Sequence, residues 1–153
     1  MVTGLRWMSR RRLLATVDAA QVKGAIERAE GGTSGEIRVS VAAPFWGDAR
    51  KAANGAFERL GMSRTRHRNG VLLFVVPSRR RFVLLGDTGI HAKVGHAFWE
   101  RVSQALSERF RAGDFTGGLV QSIETIGEEL RRHFPCEPTE ESNELADDVD
   151  VSG

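Results

Sequence analysis

The sequence predicts an α/β fold, a three-layer α/β/α sandwich around a small mixed sheet, with its elements in the order αβαββαα. The main observation is residues 71–76 (VLLFVV), which are apolar on both faces, as is typical of a central strand covered by helices on both sides. Four segments with apolar residues at helical spacing supply the two outer layers. A chain of 153 residues has the length of one domain.

The first half of the chain predicts a helix, a strand and a second helix. The first helix begins after Asp18, whose carboxylate can accept from an early amide, and ends at the glycine pair 31–32. Residues 36–42 (EIRVSVA) alternate between polar and apolar, which predicts a strand with one buried face. Asp48 is the predicted cap of a helix over residues 49–60.

The second half predicts two adjacent strands and then two helices. Residues 81–85 follow the central strand after a short turn, so these two strands form an antiparallel hairpin. The first two strands are joined through a helix, so they are parallel, with a right-handed crossover. Residues 86–89 (GDTG) are predicted to form a turn, and helices are predicted over 93–111 and 119–133.

Charge divides the chain into three predicted parts: a basic flexible arm (1–14), the folded domain (15–135) and an acidic, disordered tail (136–153). The tail contains acidic residues and no Lys or Arg, so the rest of the chain is strongly basic. A basic body is compatible with non-specific polyanion binding. Nucleic acid is nevertheless an unlikely partner, because the basic residues lack interleaved aromatic residues and no nucleic-acid-binding motif is present.

The sequence also predicts a cytoplasmic location with no transmembrane segment. Residues 9–14 (SRRRLL) resemble a twin-arginine export signal, but the segment that follows carries several charged residues instead of an apolar stretch. No window approaches the roughly 18 apolar residues that a spanning helix needs. The single cysteine, Cys136, fits a reducing compartment.

Four segments, in this order and spacing, resemble the TPM domain family, named after thylakoid lumen, photosystem repair and nematode receptor-associated proteins. They are 33–39 (TSGEIRV), 68–73 (RNGVLL), 81–90 (RFVLLGDTGI) and 110–119 (FRAGDFTGGL). Residues 143–145 (NEL) resemble the end of a short, soluble subgroup. The resemblance implies an α/β/α sandwich. It also implies poorly defined biochemistry: some members bind calcium, plant members have been assigned a weak acid phosphatase activity, and others are accessory factors of membrane-protein complexes.

The predicted topology brings a set of polar residues to one rim of the sheet. The first two strands begin at this rim and the third strand ends there, so Glu36, Asn69, Asp87 and His91 are expected to share it. Arg66 and Arg68 enter from the preceding loop, and with Glu36, Asn69 and Asp87 they form the predicted ligand site. Asp87 and Asn69 offer oxygen ligands that suit calcium. Asp87 and His91 are the candidate catalytic residues.

Two departures from the family pattern weaken the calcium site. The family often has an acid before the Asn of its Asn-Gly-Val motif, where this chain has Arg68, and another where it has His91. We therefore expect weak calcium binding or none, and an anion site built on Arg64, Arg66 and Arg68 is the alternative. A purely structural interpretation also stands, with Asn69 starting a strand and Asp87 capping a turn.

The leading functional hypothesis is a non-catalytic interaction or accessory module for a protein partner, at a membrane surface or in a membrane-associated complex. Phe45 and Trp46 lie in a loop between a strand and a helix, where an exposed aromatic pair can anchor a partner. The alternative is a weak phosphatase at the rim, with or without a divalent cation. Non-specific polyanion binding is the second alternative.

Overall fold

The computed structural model describes residues 9–136 and 149–152 of the chain. Within these residues, one sheet carries helices on both faces. The helices are α1 (Arg10–Thr16), α2 (Ala19–Glu30), α3 (Ala49–Arg59), α4 (Thr88–Arg111) and α5 (Phe115–His133). The strands are β1 (Glu36–Ala42), β2 (Gly70–Val76), β3 (Arg81–Gly86) and β4 (Asp150–Ser152).

The sheet is mixed, with the strand order β3-β2-β1-β4. β1 and β2 are parallel, with Glu36 opposite Gly70, and β2 and β3 are antiparallel, with Val71 opposite Gly86. The beginnings of β1 and β2 and the end of β3 therefore meet at one edge, as the sequence predicted. This edge carries the polar residues discussed below.

Each face of the sheet packs against its own hydrophobic cluster. On one face, β1 and β2 contribute Val39 and Leu73 to a core that α1, α2, α4 and α5 complete. On the other face, Leu72 and Phe74 pack against residues of α3 such as Phe57. All seven residues of β2 are buried, which explains why this strand is apolar on both sides. The predicted three-layer α/β/α sandwich is confirmed.

The predicted flexible arm is wrong for residues 10–14. These residues lie in α1, whose first turn is capped by Ser9: its hydroxyl oxygen accepts from the backbone N–H of Arg12 at 3.3 Å. Leu13 is buried in the core at 1% exposure, while Arg11 and Arg12 stay exposed. Leu14 and Val17 also pack against this core, so the short helix is attached through an apolar face that the arginines before it obscure in the sequence. Residues 1–8 lie outside the described residues.

The predicted disordered tail is wrong for residues 150–152, which form β4. This strand lies parallel to β1, with Ser40 opposite Asp150. Strand addition uses backbone hydrogen bonds, so a tail with few large apolar side chains can still join the sheet, and Val149 packs against the main core. Cys136 is also fastened, through its backbone N–H to the carbonyl of Gly32 at 3.0 Å. Residues 137–148, including the family-like segment 143–145, and residue 153 lie outside the described residues.

Two helices begin earlier than predicted, because an aspartate caps each of them. Asp87 caps α4 at Thr88, inside the segment predicted as a turn, and its carboxylate accepts from the N–H of Thr88 at 2.7 Å. Asp114 caps α5 and accepts from the N–H of Gly117 at 2.9 Å. Gly95 breaks α4, with φ of 77° and ψ of 171°. The sequence predicts a helix only from residue 93 onward, because the apolar residues of α4 recur at regular helical spacing only from near Gly95.

Candidate functional site

The strand ends bring five polar residues together, and we call this group the rim: Ser34, Glu36, Arg68, Asn69 and Asp87. The backbone N–H of Asp87 donates to the carbonyl of Gly70 at 2.9 Å, which joins the end of β3 to the start of β2. The N–H of Glu36 donates to the carbonyl of Asn69 at 3.4 Å, which joins β1 to the same place. The structure thus brings Glu36, Asn69 and Asp87 to a common edge.

Asp87 and Arg68 form a two-pronged ion pair at the rim. The Arg68 Nε donates to Asp87 Oδ2 at 2.7 Å, and Nη2 donates to Oδ1 at 2.9 Å. The Asp87 side chain is 5% exposed and that of Arg68 is 51% exposed, so the pair covers the carboxylate from solvent. The hydrogen bonds from Arg68 to Asp87, and then the charge of that carboxylate, raise the pKa of the Arg68 guanidinium. Both carboxylate oxygens have a donor.

Arg68 is also fastened through its backbone. It has a φ of 51°, in the left-handed region, and its carbonyl accepts from the N–H of Gly89 at 2.8 Å. The approach is so close that a Cβ on Gly89 would lie 2.0 Å from the carbonyl oxygen of His67. Only glycine fits there. The ion pair and these backbone contacts together join the loop before β2 to the first turn of α4.

Asn69 is fully buried and bonded on three sides. Its backbone N–H donates to the Thr65 hydroxyl oxygen at 3.0 Å, and its Nδ2 donates to the Ser34 hydroxyl oxygen at 3.0 Å. Its backbone carbonyl accepts from Glu36, itself 1% exposed. The Asn69 Oδ1 atom has no hydrogen-bond partner within the described residues. Thr65 was not predicted as part of this site, and its spacing of four from Asn69 carries no recognisable signal.

The predicted metal ligands do not fit a calcium ion. Calcium takes six to eight oxygen ligands, and its affinity rises with their charge. Both oxygens of Asp87 are engaged by Arg68, which places a fixed positive charge beside the carboxylate. Asn69 then offers one neutral oxygen. Among the described side chains, those of residues 9–136 and 149, no three His, Cys, Asp or Glu are grouped as a metal site.

The candidate catalytic residues are turned to different partners. His91 is exposed on the first turns of α4, and its Nδ1 accepts from the indole N–H of Trp99 at 3.1 Å. Asp87 is paired with Arg68. Nucleophilic catalysis needs a hydroxyl, a base and an orienting group in one hydrogen-bonded series, and Asp87 and His91 do not form such a series here. Arg64, the last residue of a short 3-10 helix, and Arg66, in the loop before Arg68, are both exposed.

The two aromatic residues of the predicted partner surface differ in their exposure to solvent. Trp46 is 100% exposed, whereas Phe45 is half-buried and packs against Phe74, with ring centroids 6.3 Å apart. The Arg79 guanidinium lies 4.3 Å from the Phe45 ring centroid and donates to the backbone carbonyls of Phe45 and Gly47. The expectation that both rings are exposed is therefore wrong for Phe45, because the sheet and Arg79 cover it. Arg79 was missed, since nothing in the sequence links it to a loop more than thirty residues earlier.

No helix in residues 9–136 combines the length and the apolarity that crossing a lipid bilayer requires.

Comparison with known proteins assigns the chain to a family. The family model described as the TPM domain matches residues 9–129. The NMR structure of the BA42 protein from the psychrophilic bacterium Bizionia argentinensis is similar, with a TM-score of 0.81 and 34% identity over 90% of this chain and 96% of that one. The N-terminal domain of the cg2496 protein from Corynebacterium glutamicum shares the fold, with a TM-score of 0.58 and 16% identity over 86% of this chain and 82% of that domain. None of the curated proteins matches this chain. By the family model and the similarity to BA42, the chain belongs to the TPM domain family.

Proposed function

We propose that this chain is a non-catalytic interaction module that binds a protein partner through the loop carrying Trp46. The single observation behind this proposal is the complete exposure of the Trp46 side chain. Tryptophan contributes more binding energy at protein interfaces than most residues do, because it buries a large, rigid surface. Leaving such a side chain in water has no benefit for folding, which favours a role in binding.

The loop is held in place before any partner arrives. Arg79 stacks on the ring of Phe45 and donates to two carbonyls of the loop, one on each side of Trp46. Phe45 in turn packs on the sheet through Phe74. A surface that is already ordered loses less conformational entropy on binding, which favours affinity. The backbone around Trp46 is thus suited to present this side chain.

In this proposal the rim stabilises the fold and does not bind a ligand. The Arg68–Asp87 pair and the Gly89 contact connect β2, β3 and α4, and the connection leaves no free carboxylate oxygen on Asp87. Such a network stabilises the frame that carries the Trp46 loop. The proposal includes a cytoplasmic location and a partner in a membrane-associated complex, for which cell fractionation of the native protein is the check.

An aromatic photo-crosslinking amino acid, a phenylalanine derivative that keeps a ring at position 46, tests the proposal. We expect it to capture one defined partner from native lysate, and the Trp46→Ala variant to lose that partner in co-purification. The same crosslinker at Glu128, an exposed residue of α5, is the matched control and should not capture it. Because Trp46 contacts solvent alone, Trp46→Ala should keep the unfolding temperature of the parent chain. Equal capture from both positions would contradict the proposal.

The phosphatase alternative has its own test. It predicts hydrolysis of a phosphate ester above background, with the activity abolished in Asp87→Ala. Loss of activity in that variant alone does not separate chemistry from folding, so the unfolding temperature must be measured beside it. Activity that survives the substitution would exclude the rim as its source. Clear activity that depends on Asp87 in a folded variant would replace the interaction module as the assigned function.

A further inference from the structure

The outer edge of β3 is open in the part of the chain that the structure describes, because β3 stands last in the sheet order. The pairing of β3 with β2 shows which backbone groups face outward. Asp87 donates to Gly70, and hydrogen-bonded pairs alternate along an antiparallel ladder. The backbone groups that bond to β2 are therefore those of Arg81, Val83 and Leu85. The N–H and C=O groups of Phe82 and Leu84 point away from β2.

A cleft of about 810 Å³ runs along this open edge. One wall is the start of α3 with the end of the Trp46 loop, from Gly47 to Arg50, and the other wall is α4, from His96 to Gln104. A second cavity of about 340 Å³ continues the cleft past Arg80 and Arg81 to Arg111. A strand of six residues spans roughly 20 Å at about 3.3 Å per residue, so the edge is long enough to pair with a short extended peptide.

The cleft is predominantly basic. The two cavities together are lined by five arginines: Arg50, Arg79, Arg80, Arg81 and Arg111. Two acids, Asp48 and Glu100, also line the cleft, so arginines outnumber acids five to two. Asp48 accepts from the backbone N–H groups of Lys51 and Arg50, which lowers the pKa of its carboxyl, and Glu100 lies 2.8 Å from the ring of His96. The excess positive charge favours an acidic ligand.

We propose that an extended, acidic segment of a protein partner adds to the sheet as a further strand along the outer edge of β3. The backbone of Phe82 and Leu84 would supply the pairing groups, and the arginines of the cleft would select for Asp and Glu in the added segment. Gly47 lines the cleft and follows Trp46 directly, so one partner can contact both the ring and the edge. This inference rests on the proposed interaction function and names the chemistry of the partner.

NMR titration of the isotope-labelled chain tests this inference, with a short synthetic peptide that alternates Glu and Val as the probe. We expect the amide signals of Phe82 and Leu84 to shift and their hydrogen exchange to slow. The same peptide with every amide N-methylated keeps its charges but cannot pair, so it should bind at least roughly tenfold more weakly. A peptide that alternates Lys and Val should also lose roughly tenfold or more in affinity.

The double variant Arg81→Glu, Arg111→Glu is the matched change in the protein. Both residues are exposed, so its fold should be intact, and its affinity for the Glu–Val peptide should fall by roughly tenfold. Equal binding of the N-methylated peptide, or shifts confined to other strands, would overturn the inference. The inference would also be overturned if single-stranded DNA displaced the peptide and the hydrogen exchange of the Phe82 and Leu84 amides did not slow with the peptide bound. The crosslinking result at position 46 decides the interaction function separately, because it does not depend on the acidic peptide.

Discussion

At the scale of single residues, the most demanding contact is the one between Gly89 and the loop before β2. The N–H of Gly89 bonds to the Arg68 carbonyl, and the space beside its Cα is filled by the carbonyl oxygens of His67 and Arg68. These are backbone atoms, so they cannot turn aside as a flexible side chain can. The close approach keeps Arg68 where its guanidinium meets Asp87.

Substitution of this glycine tests the contact. In Gly89→Ala the new Cβ would lie 2.0 Å from one backbone oxygen and 2.7 Å from another, so the chain must shift. We expect the free energy of unfolding to fall by about 1–3 kcal/mol, measured by urea denaturation. Gly55→Ala is the control, because nothing lies within 4 Å of its new Cβ in α3. The control should gain up to about 1 kcal/mol from helix propensity, and equal effects in both variants would refute the steric argument.

The position of the rim can be predicted from the sequence, but its hydrogen bonds and ion pair cannot. The topology of three strands is enough to bring Glu36, Asn69 and Asp87 to one edge. It does not show that Arg68 adopts a left-handed φ of 51° and turns its guanidinium onto Asp87. Arg68 was expected to contribute to an anion site, but a large part of its charge is balanced by this carboxylate. The direction of the Arg68 side chain thus decides whether this edge forms a ligand site or an internal ion pair.

At the scale of elements, the clearest difference from the sequence prediction is α1. Three successive arginines made residues 1–14 look like a solvated arm, and the pattern contains too few apolar positions for helical periodicity to show. The helix is fixed instead by a cap at Ser9 and by Leu13, which is 1% exposed. The longer elements were predictable because β2 and the later part of α4 bury many residues at regular spacing.

Removal of the Leu13 side chain tests whether α1 belongs to the cooperative fold. Leu13→Ala takes a buried leucine out of the main core, so we expect a loss of about 2–5 kcal/mol in the free energy of unfolding. Arg11→Ala, at an exposed position of the same helix, should leave the unfolding midpoint unchanged. Thermal or urea denaturation of the two variants measures both. If Leu13→Ala and Arg11→Ala had the same free energy of unfolding, residues 10–14 would not belong to the cooperative fold.

At the scale of the whole molecule, the arrangement around Asp87 predicts that the fold is stable without calcium. The Arg68 guanidinium already supplies positive charge beside the carboxylate that a cation would need. The thermal midpoint should therefore be the same in millimolar calcium and in a chelator. A site with a dissociation constant one hundredth of the calcium concentration would add about 2.7 kcal/mol, or several degrees in a domain of this size.

The double variant Arg68→Asp, His91→Asp is the comparison for that measurement. It removes the balancing charge and places acids at the two positions where this chain departs from the pattern of the resemblance, and Asp tolerates the left-handed backbone at position 68 better than most residues. We expect its thermal midpoint to rise with calcium while that of the parent chain stays constant. A calcium-dependent rise in the parent chain would contradict the assignment of Arg68 as the balancing charge.

The break at Gly95 has a consequence for how the molecule fluctuates. Its ψ of 171° interrupts the backbone ladder of α4, so the turn next to the rim and the longer stretch beyond it do not share one continuous series of hydrogen bonds. Transient opening of the first turn can then stop at Gly95 without spreading to the part of α4 that packs on α5. The side-chain hydrogen bond from Trp99, which lines the cleft, to His91 crosses this break, so it is the link that still connects the first turns of α4 to the cleft wall.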